Sequence, residues 1–213
     1  MTGETPVHLI DSGKIIFQFI PFVAFEPGFN ININVLQKNI ELMTPAYSFI
    51  SGSRYNLDGF VAYSQKENNL FGSYFQVFRN GIIEMVDTSI IRPNGNQRYI
   101  PSFVFEDELI KLLKNCIYIH QNLSVVAPST LIISLTGVKG YRLAVNQKLD
   151  RWGEHTHLID RDSLILPEVV IEDYFVEPAT LLRPIFDALW NSAGWARSFG
   201  YDEAGQWEKG KNR

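Results

Sequence analysis

Gly72-Ser-Tyr-Phe-Gln-Val-Phe78-Arg79-Asn80-Gly81-Ile82-Ile-Glu-Met-Val-Asp-Thr88 is the stretch that decides the fold. Each half is a run of aromatic and β-branched residues of the kind that fits a pleated surface. Asn80-Gly81 lies between them, and a type I′ turn needs positive φ at both central residues, which Asn and Gly tolerate best. The stretch therefore reads as an antiparallel hairpin, Gly72 to Phe78 against Ile82 to Thr88, with a further strand before it at about Leu57 to Ser64. Parallel neighbours would need crossovers of a dozen or more residues, and this region has no room for them.

Outward from the hairpin, Lys14 to Phe25 (KIIFQFIPFVAF) reads as a strand buried on both faces and ending near Pro21. Asn30 to Leu42 sets Ile33, Leu36 and Ile40 near helical spacing and reads as a short helix. A Pro- and Gly-containing loop, Arg92 to Gln97, precedes a helix at about Val104 to Asn122. There Glu106, Asp107 and Glu108 suit the positive N-terminal end, and Phe105, Leu109, Leu112, Leu113, Cys116 and Ile117 form an apolar stripe. Thr130 to Thr136 (TLIISLT) looks like a central strand, joined by the turn Gly137-Val-Lys-Gly140 to another at Tyr141 to Val145. Asn146 to Ser163 reads as irregular, Glu168 to Tyr174 as a strand, and Pro178 to Ser192 as a helix in which Pro184 marks a kink or the first turn. The expected fold is α+β, a mainly antiparallel or mixed sheet with about three helices packed on it. Residues 14–193 form the domain, 1–13 a lead into it, and 194–213 an aromatic-rich tail that packs back on it.

The 213 residues carry 19 Lys and Arg against 23 Asp and Glu, a net charge of −4, which argues against holding nucleic acid by bulk charge. Apolar residues make up 46%, with 15 Phe, 9 Tyr and 4 Trp, enough for a sizeable core and against intrinsic disorder. A single cysteine, Cys116, excludes an intrachain disulfide and a cysteine zinc site, so a cytoplasmic setting is expected. No window is long and apolar enough for a membrane helix, so no membrane partner is expected.

No P-loop, dinucleotide fingerprint, nucleophile elbow or zincin helix is present, and no cofactor is assigned. The densest ionisable cluster runs from Glu154 to Asp162. His155 and His157 share a face if the chain is extended there, and with Asp160 they could hold zinc or manganese. Glu168, Glu172 and Asp173 could supply paired carboxylates. Both patterns also suit a solvated loop or the outer face of a strand. Gly137-Val-Lys-Gly140 puts Lys139 and Arg142 where they could contact phosphate, although a plain strand turn needs the same residues. Arg54, Tyr55, Asn56 and Asp58 could form a ligand-facing loop or an internally hydrogen-bonded corner, and the corner is favoured. His120, at the edge of an apolar stripe, is expected to be a hydrogen-bonded core histidine.

Six patches, Arg54 to Gly59, Phe78 to Glu84 with Asp87, Leu135 to Arg142, Leu166 to Tyr174, Leu182 to Gly194 and Tyr201 to Trp207, together resemble the C-terminal region of bacterial Schlafen/Alba-type proteins. The resemblance spans nearly the whole chain. Such proteins are usually described as DNA-binding or ATP-binding, a role attached to an N-terminal Alba-like domain that would precede this chain. No binding residue of that domain carries over to any position here. The resemblance supplies a context and no mechanism; together with the absent catalytic motifs, the aromatic-rich composition and the apparent truncation, it leads to the expectation of an accessory, interaction or regulatory module that leans away from catalysis. Its expected partners are an N-terminal Alba-like domain, missing or separately encoded, and optionally a second copy of the chain, without direct nucleic-acid binding. The alternatives are a metal-assisted hydrolase or phosphodiesterase built on the 154–173 cluster with Glu172, and a small-molecule or nucleotide sensor around 54–58.

Overall fold

Alternate residues of β1 (Lys14–Pro21) set the layering: Ile15, Phe17 and Phe19 are fully buried, whereas Lys14, Ile16, Gln18 and Ile20 are half-buried. The structure, a computed structural model, describes residues 5–94, 97–145 and 157–208. Its other strands are β2 (Gly52–Tyr55), β3 (Gly59–Gln65), β4 (Phe71–Phe78), β5 (Ile83–Asp87), β6 (Arg92–Asn94), β7 (Gln97–Pro101), β8 (Ser129–Thr136), β9 (Arg142–Ala144), β10 (Ser163–Ile165) and β11 (Val169–Ile171). Among the described residues, eight strands form one antiparallel sheet in the order β10-β8-β1-β5-β4-β3-β2, with β11 also on β8. A second sheet, β6-β7-β9, contains the parallel pair β7 and β9.

The helices α1 (Ser102–Asn122) and α2 (Pro178–Ser192) and the 3-10 helix Ile33–Met43 join the same core as the inward residues of β1, β4, β5 and β8. This is an α+β fold with a mostly antiparallel sheet. On the outer face, residues around Val7 cross the sheet: Val7 packs with Val61, Tyr74 and Val86, and Leu9 bridges to Phe71. At the far end of the chain, Trp195 and Phe199 meet edge to face at 5.3 Å, Phe199 meets Trp190 at 5.0 Å, and the Tyr201 hydroxyl donates to Ala179 O at 2.6 Å.

The Asn80-Gly81 hairpin is present, with Ser73 to Val77 paired with Asp87 to Ile83, but its turn is not type I′: Gly81 is at φ +84° whereas Asn80 is not at positive φ, and Gly81 N donates to Phe78 O to close a turn over Arg79 and Asn80. Other expectations need correction. β1 is not buried on both faces: the outward Ile16 and Ile20 make the sequence look uniformly apolar although the burial alternates, while β8 is a central strand, as expected. The turn at 137–140 does not close a hairpin. β8 is flanked instead by β1 on one side and by β10 and β11 on the other, while β9 leaves for the second sheet. Val138 N and Gly140 N donate to Asp162 O and Ile159 O, which steers the turn away from β8.

Of the loop expected at Arg92 to Gln97, Arg92–Asn94 forms β6 and Gln97 opens β7, and β2 occupies part of the expected corner at 54–58. The helix expected at 30–42 is a 3-10 helix. Asn32 caps Asn34 N, and Asn39, at φ −120°, breaks regular geometry, as expected of Asn, which competes with the backbone for hydrogen bonds. The strand expected through Tyr174 stops at Ile171, because the Asp173 carboxylate accepts from Phe175 N and turns the chain. In α2, Pro178 opens the helix and Pro184 lies inside it.

A Cβ on Gly59 would run into the Val77 carbonyl of the neighbouring strand, whereas Gly28, at φ +82°, has open space around it. Gly59→Ala should therefore cost on the order of 2–4 kcal/mol, and Gly28→Ala only about 1 kcal/mol of backbone strain. Urea denaturation of the two variants checks this, and equal losses would refute the steric account.

Candidate functional site

The residues at 54–58 form a hydrogen-bonded corner. Arg54 Nη2 donates to Pro6 O at 2.7 Å, and the Tyr55 ring packs on Phe60 at 4.8 Å with its hydroxyl 3.5 Å from Gln37 Oε1. Asn56 Oδ1 accepts from Gly59 N at 2.8 Å, and its Nδ2 donates to Gln76 Oε1 at 2.8 Å. Arg79 closes the corner, its Nε donating to Leu57 O and its backbone N–H to Asp58 O, both at 2.8 Å.

Lys139 is exposed in the turn after β8, and Arg142 opens β9. The Arg142 guanidinium lies over Tyr99 at 5.5 Å. Arg98 lies over Tyr141 at 6.0 Å and donates from Nη1 to Lys139 O at 3.5 Å. Successive strand residues point to opposite faces, so these two cation–π pairs belong to opposite sides of the small sheet.

His155 lies outside the described residues. His157 and Asp160 line one groove of about 540 Å³ together with Arg161, Asn191 and Ser192, and Asp160 Oδ1 is 3.4 Å from Arg161 Nε. Among the described residues no three His, Cys, Asp or Glu groups gather within metal-binding reach. Glu168, Glu172 and Asp173 are all exposed, and Glu172 does not line that groove.

Two buried polar centres stand out instead, at the two ends of α1. His120 stacks on Phe19 with ring centroids 4.6 Å apart, and each of its ring nitrogens has a partner at 2.9 Å: Gly81 O at Nε2 and the Tyr174 hydroxyl at Nδ1. A carbonyl only accepts, so Nε2 carries the hydrogen, Nδ1 accepts from Tyr174, and the Tyr174 oxygen accepts from Ser129 Oγ at 2.6 Å. Burial pulls the imidazole down to about 4, opposed by the bond to Gly81. Expecting a hydrogen-bonded His120 was sound, but its partners come from three distant segments and carry no local signal.

Glu106, expected with Asp107 and Glu108 at the positive N-terminal end of the helix, is fully buried. Its Oε1 accepts from Trp190 Nε1 at 2.6 Å and from Ser198 Oγ at 2.7 Å, while Oε2 has no hydrogen-bond partner among the described residues. Burial pushes the carboxyl up to about 7. The two hydrogen bonds oppose that shift, and nearby Asp187 and Asp107 add to it. The sequence hint was Trp190 on the apolar stripe of α2, because a buried indole needs a polar partner for its N–H.

The third feature is the half of the outer sheet face beyond the Val7 strip, which among the described residues carries exposed apolar side chains. By register, Ile20, Ile132, Ile165 and Val170 share it, and Ile165 is 83% exposed and Val170 44%. No family model, curated protein or solved structure matches the chain. Among the described residues no helix is long and apolar enough to cross a membrane.

The two buried groups oppose each other in acid. Glu106 binds its proton more tightly folded than unfolded, so its contribution is present at low pH and is lost as pH rises from about 4.5 through about 7. His120 resists protonation when folded, so its contribution is present above about 6.5 and is lost as pH falls towards about 4. Each is worth on the order of 2–3 kcal/mol. Glu106→Gln removes one slope and leaves the other. Relative to the parent, the variant should gain stability steadily between pH 5 and 7.5, read as denaturation midpoints, and a constant difference would refute the assignment.

Proposed function

We propose that this chain is a cytoplasmic accessory module of a bacterial Schlafen/Alba-type nucleic-acid-binding protein, and that it docks an Alba-like domain on that half of its outer sheet face. One observation carries the reading: a broad sheet keeps helices on one face and leaves apolar side chains exposed on the other, beside the strip already covered by residues 5–12. That strip also favours this occupant. Arg54 and the Val7 cluster hold the N-terminal segment on the outer face, so a domain joined ahead of it is delivered to that side. The lone buried thiol of Cys116 supports a reducing compartment.

The test mixes the chain with the Alba-like domain encoded upstream of it or beside it, and measures mass by sedimentation. A one-to-one complex is expected. Substituting both Ile165→Asp and Val170→Asp, at positions exposed enough to leave folding intact, should weaken it roughly 100-fold. No complex, a complex indifferent to the substitutions, or self-association through the same face would overturn the proposal.

A metal-assisted hydrolase is the second reading, favoured by His157 and Asp160 sharing one groove. Melting with EDTA, zinc and manganese separates the two. The module reading expects shifts within about 1 °C, whereas a rise of many degrees abolished by His157→Ala would favour the metal site.

A further inference from the structure

The connection from β11 to α2 faces the C-terminal half of α1 across a groove of about 390 Å³, within the roughly 300–1,000 Å³ typical of small-molecule sites. α1 supplies Lys114, Ile117, Tyr118 and Gln121, whose i, i+3, i+4, i+7 spacing puts them on one stripe. Tyr174, Phe175 and Glu177 come from the opposite wall.

That wall is preformed. The Tyr174 hydroxyl is held by His120 and Ser129, and its ring is tilted against Phe19 at 6.1 Å. At the rim, the Asp173 carboxylate accepts from Phe175 N at 2.8 Å and holds a turn that leaves the Phe175 ring 93% exposed. Tyr118 is 52% exposed across from it. Two aromatic rings on the rim of an apolar groove leave in water a surface that a flat ring would cover.

The charges narrow the class of ligand. Lys114 and Glu177 stand on opposite walls, both exposed, and neither forms an ion pair with the other or with any other described residue. A groove with one uncompensated cation and one uncompensated anion disfavours a polyphosphate, which would meet Glu177, and a simple fatty acid, which would leave Glu177 unmatched. It matches a molecule with one carboxylate, one ammonium and an apolar ring. We infer that this groove binds a free aromatic α-amino acid, its carboxylate at Lys114, its ammonium at Glu177, and its ring between Tyr118 and Phe175 over Ile117. This goes beyond the docking proposal and does not depend on it, because the groove is lined by helix residues and by a connection that are not on the outer sheet face.

Calorimetric titration of the intact chain with L-phenylalanine and L-tryptophan tests the inference, alongside N-acetyl-L-phenylalanine, which lacks the ammonium, and L-phenylalaninamide, which lacks the carboxylate. Saturable one-to-one binding of the free amino acids is expected, weakened about tenfold by either block. Lys114→Ala should abolish the penalty for the amide and Glu177→Gln the penalty for the acetyl group, each variant keeping the parent's melting temperature because both side chains are exposed. Equal binding of blocked and free forms, as for a peptide terminus, would overturn the inference. So would no saturable binding of either amino acid, or affinities unchanged in both variants.

Discussion

β1 is paired on both sides, with eight register pairs to β8 and five to β5, and the rest of the structure depends on that double pairing. It brings residues 14–21 between segments that lie more than sixty and more than a hundred positions later. Each contact therefore carries a loop-closure cost before it returns anything. Ile15, Phe17 and Phe19 offset that cost by packing inward against partners from β5 and β8, and full burial of each is worth about 1.5–3 kcal/mol. Phe19 extends the constraint beyond the sheet, because its stack on His120 ties β1 to α1, and the bond from His120 to Gly81 ties α1 to the hairpin turn.

The Asn80-Gly81 hairpin and the two amphipathic helices were legible because their signals are local: a turn that demands positive φ, and stripes at helical spacing. What was not legible depends on distant partners. Tyr141 to Val145 looks like the natural hairpin mate of β8. The far edge of β8 is occupied instead by β10 and β11, short strands that carry little propensity signal of their own. Asn32 and Asn39 lie within an apolar spacing that promises an α-helix, and their side chains bond the backbone instead, Asn32 accepting from Asn34 N and Asn39 donating to Val35 O, leaving a 3-10 helix.

The same divide runs through the candidate sites. Arg54 and Asn56 mark a genuine structural corner, readable because four polar residue types crowd one turn before a strand. Lys139 lies exposed in the turn after β8 and Arg142 opens β9 with its guanidinium over Tyr99, a contact from another strand that a three-residue spacing does not disclose. Glu106 was hidden by a rule that usually holds, that an acidic residue near a helix N-terminus faces water and the helix dipole. Trp190 of α2 and Ser198 of the tail override it by donating to its carboxyl in the core.

α1 then poses a contest whose outcome the magnitudes decide. Glu106 stands near its positive end and His120 near its negative end, fourteen residues or about 21 Å apart. The macrodipole favours a carboxylate at the first and an imidazolium at the second, by roughly 0.3–1 kcal/mol each. Both groups shift the other way, the acid up to about 7 and the base down to about 4. Each shift corresponds to on the order of 3 kcal/mol in favour of the neutral form, several times the dipole's contribution. Burial therefore wins at both ends, and between about pH 4 and about pH 7 α1 presents two neutral hydrogen-bonding groups to the core. At its N-terminal end the carboxyl fastens the C-terminal segment through Trp190 and Ser198, and at its C-terminal end the imidazole fixes Tyr174 in the wall of the groove. Ionising either group would leave a buried charge without a counter-ion, so the tail and the groove wall are both most firmly held while the helix that joins them stays uncharged at these two positions.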